Sequence, residues 1–309
     1  MTKPELVAID WGSTSFRMWL IGPDGEILAE RRSAEGMIHC NRTGFADVLL
    51  SHLQALNVAP DVPVIACGMV GARQGWVEAP YLDTGVPLDQ LTQHVARADF
   101  SRNPVTILPG VAQRGIGAPD VIRGEETQAM GLVDQGEAVV VMPGTHSKWV
   151  ELKDRAIHRF STYMTGELFA IISAHSTVAP SLEADHVISE SDPGFVQGLE
   201  MALDDPSNAL ETLFSLRAGV LLQELAPDAA KGKLSGLLIG AELAMARRRY
   251  HDVDVHLVAS GKAAALYGAA LEMAGMAYRR QDAETLSRQG LIYAAKNLEL
   301  LNDKSYAPA

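Results

Sequence analysis

The sequence predicts an α/β protein with mixed sheets, and three observations support this fold class. A strand–turn–strand pattern occurs twice, once near the N-terminus and once near the middle of the chain. Helical and strand-like segments alternate after each copy. The chain has 309 residues, of which 47% are hydrophobic and 21% charged, so each half can bury a core. We therefore expect two domains of ordinary size.

The repeated pattern is the strongest of these observations. Residues 7–20 read VAIDWGSTSFRMWL, and residues 139–152 read VVVMPGTHSKWVEL. Gly12 and Gly144 occupy the same position in the two copies, and a hydroxyl residue follows each. A third short strand comes after each copy, which predicts two copies of one antiparallel meander. Coincidence is the alternative, because strand–glycine–strand patterns are common in hairpins.

The elements between the two copies follow in order. Apolar patterning predicts a helix over 45–56 and a buried strand over 62–67, and a glycine-rich loop follows at 68–76. A further strand is predicted over 105–108. We expect the boundary between the domains within 120–136, where a new element begins.

The second half is predicted to be mostly helical. Periodicity marks five helices, at 166–174, 195–202, 210–225, 235–248 and 263–274. A strand over 255–259 precedes the last of them, and the segment 286–300 also has helical periodicity. Strand meanders followed by alternating helices and strands are typical of α/β halves with mixed sheets.

Charge and cysteine content exclude several classes of protein. Lys and Arg number 26 and Asp and Glu 38, a balance of −12, which argues against a nucleic-acid or membrane-surface binder. Two cysteines, Cys40 and Cys67, cannot form a disulfide framework or a four-thiolate zinc site. The most apolar helical stretch, 234–246, is too short to span a bilayer, and it could supply core or a homodimer face. We expect a cytoplasmic protein.

The first turn carries a carboxylate and two hydroxyls. Asp10 ends the first strand, Gly12 permits close backbone approach, and Ser13 and Thr14 add donors. Such a turn can hold Mg²⁺, directly or through water, while its N–H groups bind phosphate oxygens. A hairpin turn without a ligand is the competing interpretation.

The second turn has matching donors but lacks the carboxylate. Gly144 and Thr145 correspond to the first turn, whereas Met142 stands where the first copy has Asp10. One turn could therefore bind a metal ion and the other only phosphate oxygens. Shortly before it, Glu125 and Glu126 lie at a predicted helix start, where they are either caps or a base facing a substrate hydroxyl.

Two loop segments are further candidates for ligand binding. Arg73, Gln74, Trp76 and Tyr81 form a polar and aromatic cluster suited to a polyhydroxylated anion, although a surface loop is the simpler interpretation. Gly261 lies at a strand-to-helix turn, where a nucleotide base or phosphate could approach.

With these motifs in place, the sequence resembles the 2-dehydro-3-deoxygalactonokinase family over nearly the whole chain. That family belongs to the superfamily that shares its fold with actin, sugar kinases and the 70-kDa heat-shock proteins. The segments that carry the resemblance are DWGSTSFR (10–17), GMVGARQGWVEAPY (68–81), RGEETQ (123–128), PGTHSKWV (143–150), TGELF (165–169) and LLIGAEL (237–243).

The resemblance implies two ribonuclease-H-like domains of the actin-like ATPase type. Each would have a mixed five-stranded sheet flanked by helices, with nucleotide in the cleft between them. We expect residues 1–122 to form the N-terminal domain and 123–309 the C-terminal domain. The two turns would be the phosphate motifs, and Gly261 would lie in the adenosine motif. There the sequence has Ser260-Gly261 in place of the usual pair of glycines.

The resemblance also points to a catalytic base. In the wider carbohydrate kinase family, Gly-Asp-Gln-Gln opens the second domain about twenty residues before the second glycine–threonine turn. Glu125 lies 20 residues before Thr145, so the position suggests Glu125 as the base. Glu126 and Asp10 are the rival candidates.

The implied activity is transfer of the γ-phosphoryl group of MgATP to the 6-hydroxyl of 2-dehydro-3-deoxy-D-galactonate, in D-galactonate catabolism. Arg17, Arg73 and Trp76 are candidates around the sugar acid, because its carboxylate needs a cationic or N–H partner. A kinase for 2-dehydro-3-deoxygluconate or another sugar acid is the first alternative. A non-catalytic nucleotide-binding regulator of the same fold is the second.

Overall fold

The computed structural model describes residues 2–115, 117–183, 185–250, 253 and 255–301. The predicted end of the C-terminal domain, 302–309, lies outside these residues. The described part contains fourteen strands: β1 (Leu6–Trp11), β2 (Phe16–Ile21), β3 (Ile27–Ser33), β4 (Val64–Gly68), β5 (Tyr81–Asp83), β6 (Ala96–Ala98), β7 (Val105–Ile107), β8 (Gly110–Gln113), β9 (Asp120–Ile122), β10 (Ala138–Met142), β11 (Ser147–Lys153), β12 (Ala156–Tyr163), β13 (Val255–Val258) and β14 (Tyr278–Gln281). It also contains ten α-helices: α1 (Met37–Thr43), α2 (Phe45–Ala55), α3 (Leu88–Leu91), α4 (Glu125–Met130), α5 (Thr165–His175), α6 (Pro193–Asp204), α7 (Asn208–Leu221), α8 (Pro227–Arg247), α9 (Gly261–Met273) and α10 (Ala283–Asn297).

The strands form two large mixed sheets, as predicted, and one small sheet. The first has the order β3-β2-β1-β4-β7-β6, and the second has the order β12-β11-β10-β13-β14. The α/β fold class is therefore confirmed. The first sheet has six strands rather than the expected five, because the three-residue strand β6 pairs with β7 at its edge. Strands β5, β8 and β9 form the small third sheet, which the sequence did not predict.

The predicted repeat corresponds to a repeated topology. In both large sheets the meander lies with its third strand at the edge and its first strand inside. The first strand of each meander then pairs in parallel with a later strand, β1 with β4 and β10 with β13. Since parallel strands end at the same sheet edge, the turn after each first strand lies beside the end of its parallel neighbour.

Contacts divide the chain into two compact units. Unit 1 comprises the described residues of Met1–Glu137, Leu152–Arg159 and Ala283–Ala309, and unit 2 those of Ala138–Glu151 and Phe160–Asp282. The contacts thus group 123–137, 152–159 and the described residues 283–301 with unit 1, although all three segments fall within the predicted C-terminal domain. The reason lies in α10, which packs against α4 and β1 of unit 1. The domain limit at residue 122 stays a prediction.

Each unit has its own apolar core. In unit 1, alternate residues of the central strands bury large side chains, among them Trp11, Phe16 and Met18. In unit 2, α6 and α8 pack so closely that a Cβ on Gly236 would lie 2.1 Å from the Phe195 carbonyl oxygen. No helix among the described residues is long and apolar enough to cross a membrane.

Candidate active site

The first turn connects β1 to β2 in unit 1. Asp10 lies near the end of β1 and pairs with Arg17 across the hairpin. The Gly12 amide donates to the Ser15 carbonyl oxygen at 2.9 Å and closes the turn, so this amide is already engaged. Ser13 and Thr14 at the tip are exposed. The turn therefore presents two hydroxyl residues to solvent with a carboxylate at its base.

Asp10 is held by charged and polar neighbours. Arg17 Nη1 donates to Asp10 Oδ2 at 3.2 Å, and Ser287 donates a second hydrogen bond. Burial raises the pKa of Asp10, whereas Arg17 and Ser287 act to lower it. Nε of the same guanidinium lies 3.3 Å from Oε1 of Glu284. Arg17 therefore bridges two carboxylates, and its predicted contact with a sugar acid stays a prediction.

The C-terminal helix α10 supplies part of this site. A Cβ on Gly290 would lie 1.8 Å from the Thr127 carbonyl oxygen, so only glycine permits this approach of α10 to α4. Gln128 Nε2 donates to Ser287 Oγ at 3.2 Å. Because Ser287 also donates to Asp10, α10 connects the first turn to α4.

The two adjacent glutamates at the start of α4 have different environments. Glu126 is fully buried, and its carboxylate accepts hydrogen bonds from the Gly124 amide at 2.7 Å and from the Thr127 hydroxyl at 3.1 Å. Glu125 is half-buried, and its Oε2 accepts from the Arg123 amide at 3.0 Å. Glu126 thus caps the helix start, whereas Glu125 retains access to a ligand.

The described structure brings three predicted candidates together. Asp10, Glu125 and Glu126 all lie close enough to the buried Cys67 thiol to raise its pKa, although burial is the larger cause. The parallel pairing of β1 with β4 places Asp10 beside Cys67. A carboxylate here could accept a hydroxyl proton. In the described part of the chain, no three His, Cys, Asp or Glu side chains are grouped so as to hold a metal ion by themselves.

Glu126 leads to a prediction about pH and stability. Burial, with a smaller effect of Glu125, raises its pKa from 4.5 to about 7. Between these values the folded protein keeps a proton that the unfolded chain has released, so the free energy of unfolding falls as pH rises through this window. Glu126→Gln removes this loss, and we expect the variant to gain about 3 kcal/mol relative to the wild type between pH 4 and pH 8.

Urea unfolding of the two proteins across this pH range measures the difference. Glu211→Gln, at an exposed position on α7, is the matched control and should follow the wild type at every pH. Parallel pH profiles for the wild type and Glu126→Gln would contradict the account of Glu126.

The glycine-rich loop of unit 1 divides into exposed and packed residues. Arg73 and Gln74 are exposed. Trp76 instead stacks on Phe45, with ring centroids 6.1 Å apart, and belongs to the edge of the core. Arg73 and Gln74 are therefore available to a ligand, while Trp76 supports the loop from below.

Tyr81 is engaged by a residue that the sequence did not single out. The Arg123 guanidinium lies 4.2 Å from the centroid of the Tyr81 ring, and its Nε donates to the tyrosine hydroxyl at 3.2 Å. Arg123 Nη2 donates to the Ala79 carbonyl oxygen at 2.8 Å. Arg123 therefore holds the segment that follows the glycine-rich loop against the start of α4, two residues before Glu125. The sequence feature that could have identified Arg123 is its place in the RGEETQ segment.

The second turn lies in unit 2, between β10 and β11. Gly144 and Thr145 are exposed. The start of α5 packs against them, because a Cβ on Gly166 would lie 2.4 Å from the Gly144 carbonyl oxygen. The Glu167 amide donates to the Thr145 carbonyl oxygen at 2.9 Å. The turn is thus held from one side and open on the other.

An apolar cavity of about 280 Å³ in unit 2 borders this turn. Its lining comes from the turn, from α5, α8 and α9 and from the segment between α5 and α6: Pro143, Gly144, Thr165, Gly166, Phe169, Ile188, Ser235, Leu238, Ile239, Lys262, Ala263, Leu266 and Tyr267. A mainly apolar wall with a few polar groups is typical of sites for planar organic ligands.

Gly261 begins α9 with a φ of +57°, a conformation that favours glycine. It lines a separate, open hollow with Ser260 and Asp282, and Ser260 Oγ donates to Asp282 Oδ2 at 2.9 Å. The neighbouring Lys262 lines the apolar cavity. Gly261 therefore lies one residue from the cavity wall.

Comparisons with known proteins agree on one family. The family model described as 2-keto-3-deoxy-galactonokinase matches residues 10–294. A protein of Rhizobium meliloti (strain 1021) named "Probable 2-dehydro-3-deoxygalactonokinase DgoK1" is 44% identical over 96% of this chain and 98% of its own length. The 2-dehydro-3-deoxygalactonokinase of Escherichia coli (strain K12) is 35% identical over 87% of this chain and 90% of its own.

The fold agrees as well. The crystal structure of a Sinorhizobium meliloti protein described as a "putative 2-dehydro-3-deoxygalactonokinase protein" superposes with a TM-score of 0.90 at 43% identity, covering 95% of this chain and 99% of that one. The matched region contains both turns, the glycine-rich loop and the start of α4. The chain therefore belongs to the 2-keto-3-deoxy-galactonokinase family of phosphotransferases, whose acceptor is an alcohol group.

Proposed function

We propose that this protein transfers the γ-phosphoryl group of ATP to the primary 6-hydroxyl of 2-dehydro-3-deoxy-D-galactonate, a step in D-galactonate catabolism. The observation that carries the proposal is the family match over residues 10–294, which includes the first turn, Glu125 and the second turn. Relatives at 44% and 35% identity bear the name of this activity.

ATP binds in unit 2, with its base in the apolar cavity and its phosphates at the second turn. The exposed Gly144 and Thr145 on the border of that cavity support this assignment. Turn amides and a hydroxyl are the groups that hold phosphate oxygens in proteins. Gly261 lies one residue from the cavity wall and contributes to the adenosine site.

The first turn holds phosphate oxygens through Ser13 and Thr14, while Gly12 lets them approach the backbone closely, and Asp10 holds Mg²⁺, directly or through water. The fit rests on chemistry, since Asp10 supplies a carboxylate at the base of a turn whose Ser13 and Thr14 are exposed. Mg²⁺ in phosphoryl-transfer sites binds one or two carboxylates and otherwise waters and phosphates. When bound, the ion neutralises charge on the transferred phosphoryl group.

Glu125 is the general base. The 6-hydroxyl oxygen forms a bond to the γ-phosphorus as the bond to the bridging oxygen of ADP breaks, and Glu125 takes the hydroxyl proton. Glu125 is preferred to Glu126 for this role because it is partly exposed. Glu126 is buried and already accepts two hydrogen bonds. Asp10 is a weaker candidate because Arg17 and Ser287 already occupy its carboxylate.

The sugar acid binds to unit 1, where Arg73 and Gln74 are exposed on the glycine-rich loop. Arg17 beside Asp10 and Tyr81 beneath Arg123 complete the proposed contacts, and Trp76 supports the loop from below. A cationic partner for the substrate carboxylate favours acids over neutral sugars. We also infer a cytoplasmic location, which two buried free cysteines support. A homodimer stays a prediction.

A coupled ADP-release assay with MgATP tests the proposal. We expect 2-dehydro-3-deoxygalactonate to give the highest kcat/KM, ahead of its C4 epimer 2-dehydro-3-deoxygluconate and far ahead of neutral hexoses. Preference for the epimer would move the substrate assignment to 2-dehydro-3-deoxygluconate. Nucleotide binding without turnover on any acceptor would indicate a regulator instead.

A further inference from the structure

Glu242 on α8 is a buried carboxylate that the proposed reaction does not use. Its side chain is 1% exposed, and it forms no ion pair with any residue in the described part of the chain. It lies in the LLIGAEL segment at 237–243. A carboxylate buried without a cation is costly unless hydrogen bonds replace its water.

Four donors surround this carboxylate. Its Oε1 accepts from the Ser147 hydroxyl at 2.6 Å and the Trp149 indole N–H at 2.8 Å. Its Oε2 accepts from the Tyr267 hydroxyl at 2.8 Å and from the Thr165 hydroxyl. A carboxylate offers about four lone-pair sites, so the set is complete. Burial raises the pKa of Glu242, and all four donors oppose that shift.

The donors belong to the elements that build the nucleotide cavity. Thr165 begins α5 and Tyr267 lies on α9, and both line the cavity. Ser147 begins β11, two residues after Thr145 of the second turn. Glu242 itself follows the lining residues Ser235, Leu238 and Ile239 on α8. One carboxylate on α8 therefore connects to α5, to α9 and to the strand that follows the second turn.

We propose that Glu242 is a positioning residue for nucleotide binding, which fixes the hydroxyl directions of Thr165 and Tyr267 and the place of the second turn. This inference rests on the proposed binding of ATP in unit 2. Because each hydroxyl donates its single proton to Glu242, it offers a ligand a fixed acceptor oxygen. Preorganised groups cost no reordering when a ligand arrives, so loss of this order weakens binding.

Glu242→Gln separates this role from simple packing, because glutamine has nearly the same size. Trp149 can only donate, so the amide oxygen must stay with Trp149 and Ser147. The amide NH₂ then faces Thr165 and Tyr267, whose hydroxyls must rotate to accept. The cavity keeps its shape while two of its polar groups change direction.

Calorimetric titration with a non-hydrolysable MgATP analogue, and separately with the sugar acid, provides the test. We expect Glu242→Gln to raise the Kd of the nucleotide about tenfold and to leave the Kd of the sugar acid within twofold. In turnover, KM for ATP should rise while kcat at saturating ATP stays near the wild-type value. Glu151 lies on β11 like Ser147 and Trp149, but it contacts Tyr250 and does not line the cavity. The control variant Glu151→Gln should therefore leave both affinities unchanged.

Tyr267→Phe gives an independent test that does not require the Gln variant to fold. We expect it to raise the nucleotide Kd about threefold, and the double variant should bind no more weakly than Glu242→Gln alone. Wild-type nucleotide affinity in either folded single variant, or an equal loss for both ligands, would overturn the role of Glu242. If the wild type itself bound no nucleotide, the proposed function would fail, and this inference with it.

Discussion

We expect Glu125→Gln to lower kcat by about a thousandfold, with little change in the affinity for MgATP. The glutamine keeps the hydrogen bond from the Arg123 amide but cannot take the proton of the acceptor hydroxyl. General-base groups contribute about 10²–10⁴ in rate, and the loose transition state of phosphoryl transfer places the effect within that range.

Steady-state kinetics with saturating sugar acid and ATP measures this loss, and titration with the nucleotide analogue checks binding. Glu126→Gln is the informative neighbour, because its side chain is buried and caps α4. We expect that variant to retain most of its kcat. A Glu125→Gln enzyme within threefold of the wild type would transfer the role of base to another carboxylate.

Asp10→Asn is expected to lower kcat about a hundredfold and to raise the concentration of free Mg²⁺ needed for half-maximal rate. Asparagine preserves the shape of the β1 end but removes the charge that pairs with Arg17 at 3.2 Å. A neutral amide is a weaker Mg²⁺ ligand than a carboxylate. Arg17 keeps its ion pair with Glu284 in this variant, so the lost carboxylate charge is the main change.

The measurement is a Mg²⁺ titration of the initial rate at fixed ATP. Asp47→Asn, an exposed replacement on α2, serves as the control and should match the wild type. An unchanged Mg²⁺ dependence in Asp10→Asn would show that Asp10 does not organise the ion.

Local sequence patterns were sufficient to predict most of the helices and strands. The predicted helix over 45–56 is α2 (Phe45–Ala55), and the predicted helix over 263–274 is α9 (Gly261–Met273). Both have apolar residues at helical spacing, and both begin beside a glycine. The three-residue edge strand β6 was missed because so short a segment has no measurable alternation.

The parts of the site that depend on contacts between distant positions could not be predicted from the sequence. Arg17 was predicted to bind the sugar acid, yet its partner Glu284 lies on α10, far along the chain and without a recognisable motif. Ser287, which donates to Asp10, has the same origin. Glu125 and Glu126 are chemically alike and adjacent, so only burial in the folded protein distinguishes them.

The position of the phosphate on the product shows whether the protein phosphorylates the primary hydroxyl of the sugar acid. Proton-coupled ³¹P NMR of the reaction of the wild-type protein with MgATP and 2-dehydro-3-deoxygalactonate reports which hydroxyl was used. Transfer to the primary 6-hydroxyl predicts a phosphomonoester signal split into a triplet by the two C6 protons. A doublet would mean transfer to a secondary hydroxyl, and inorganic phosphate alone would mean hydrolysis of ATP; either result would contradict the proposed kinase reaction.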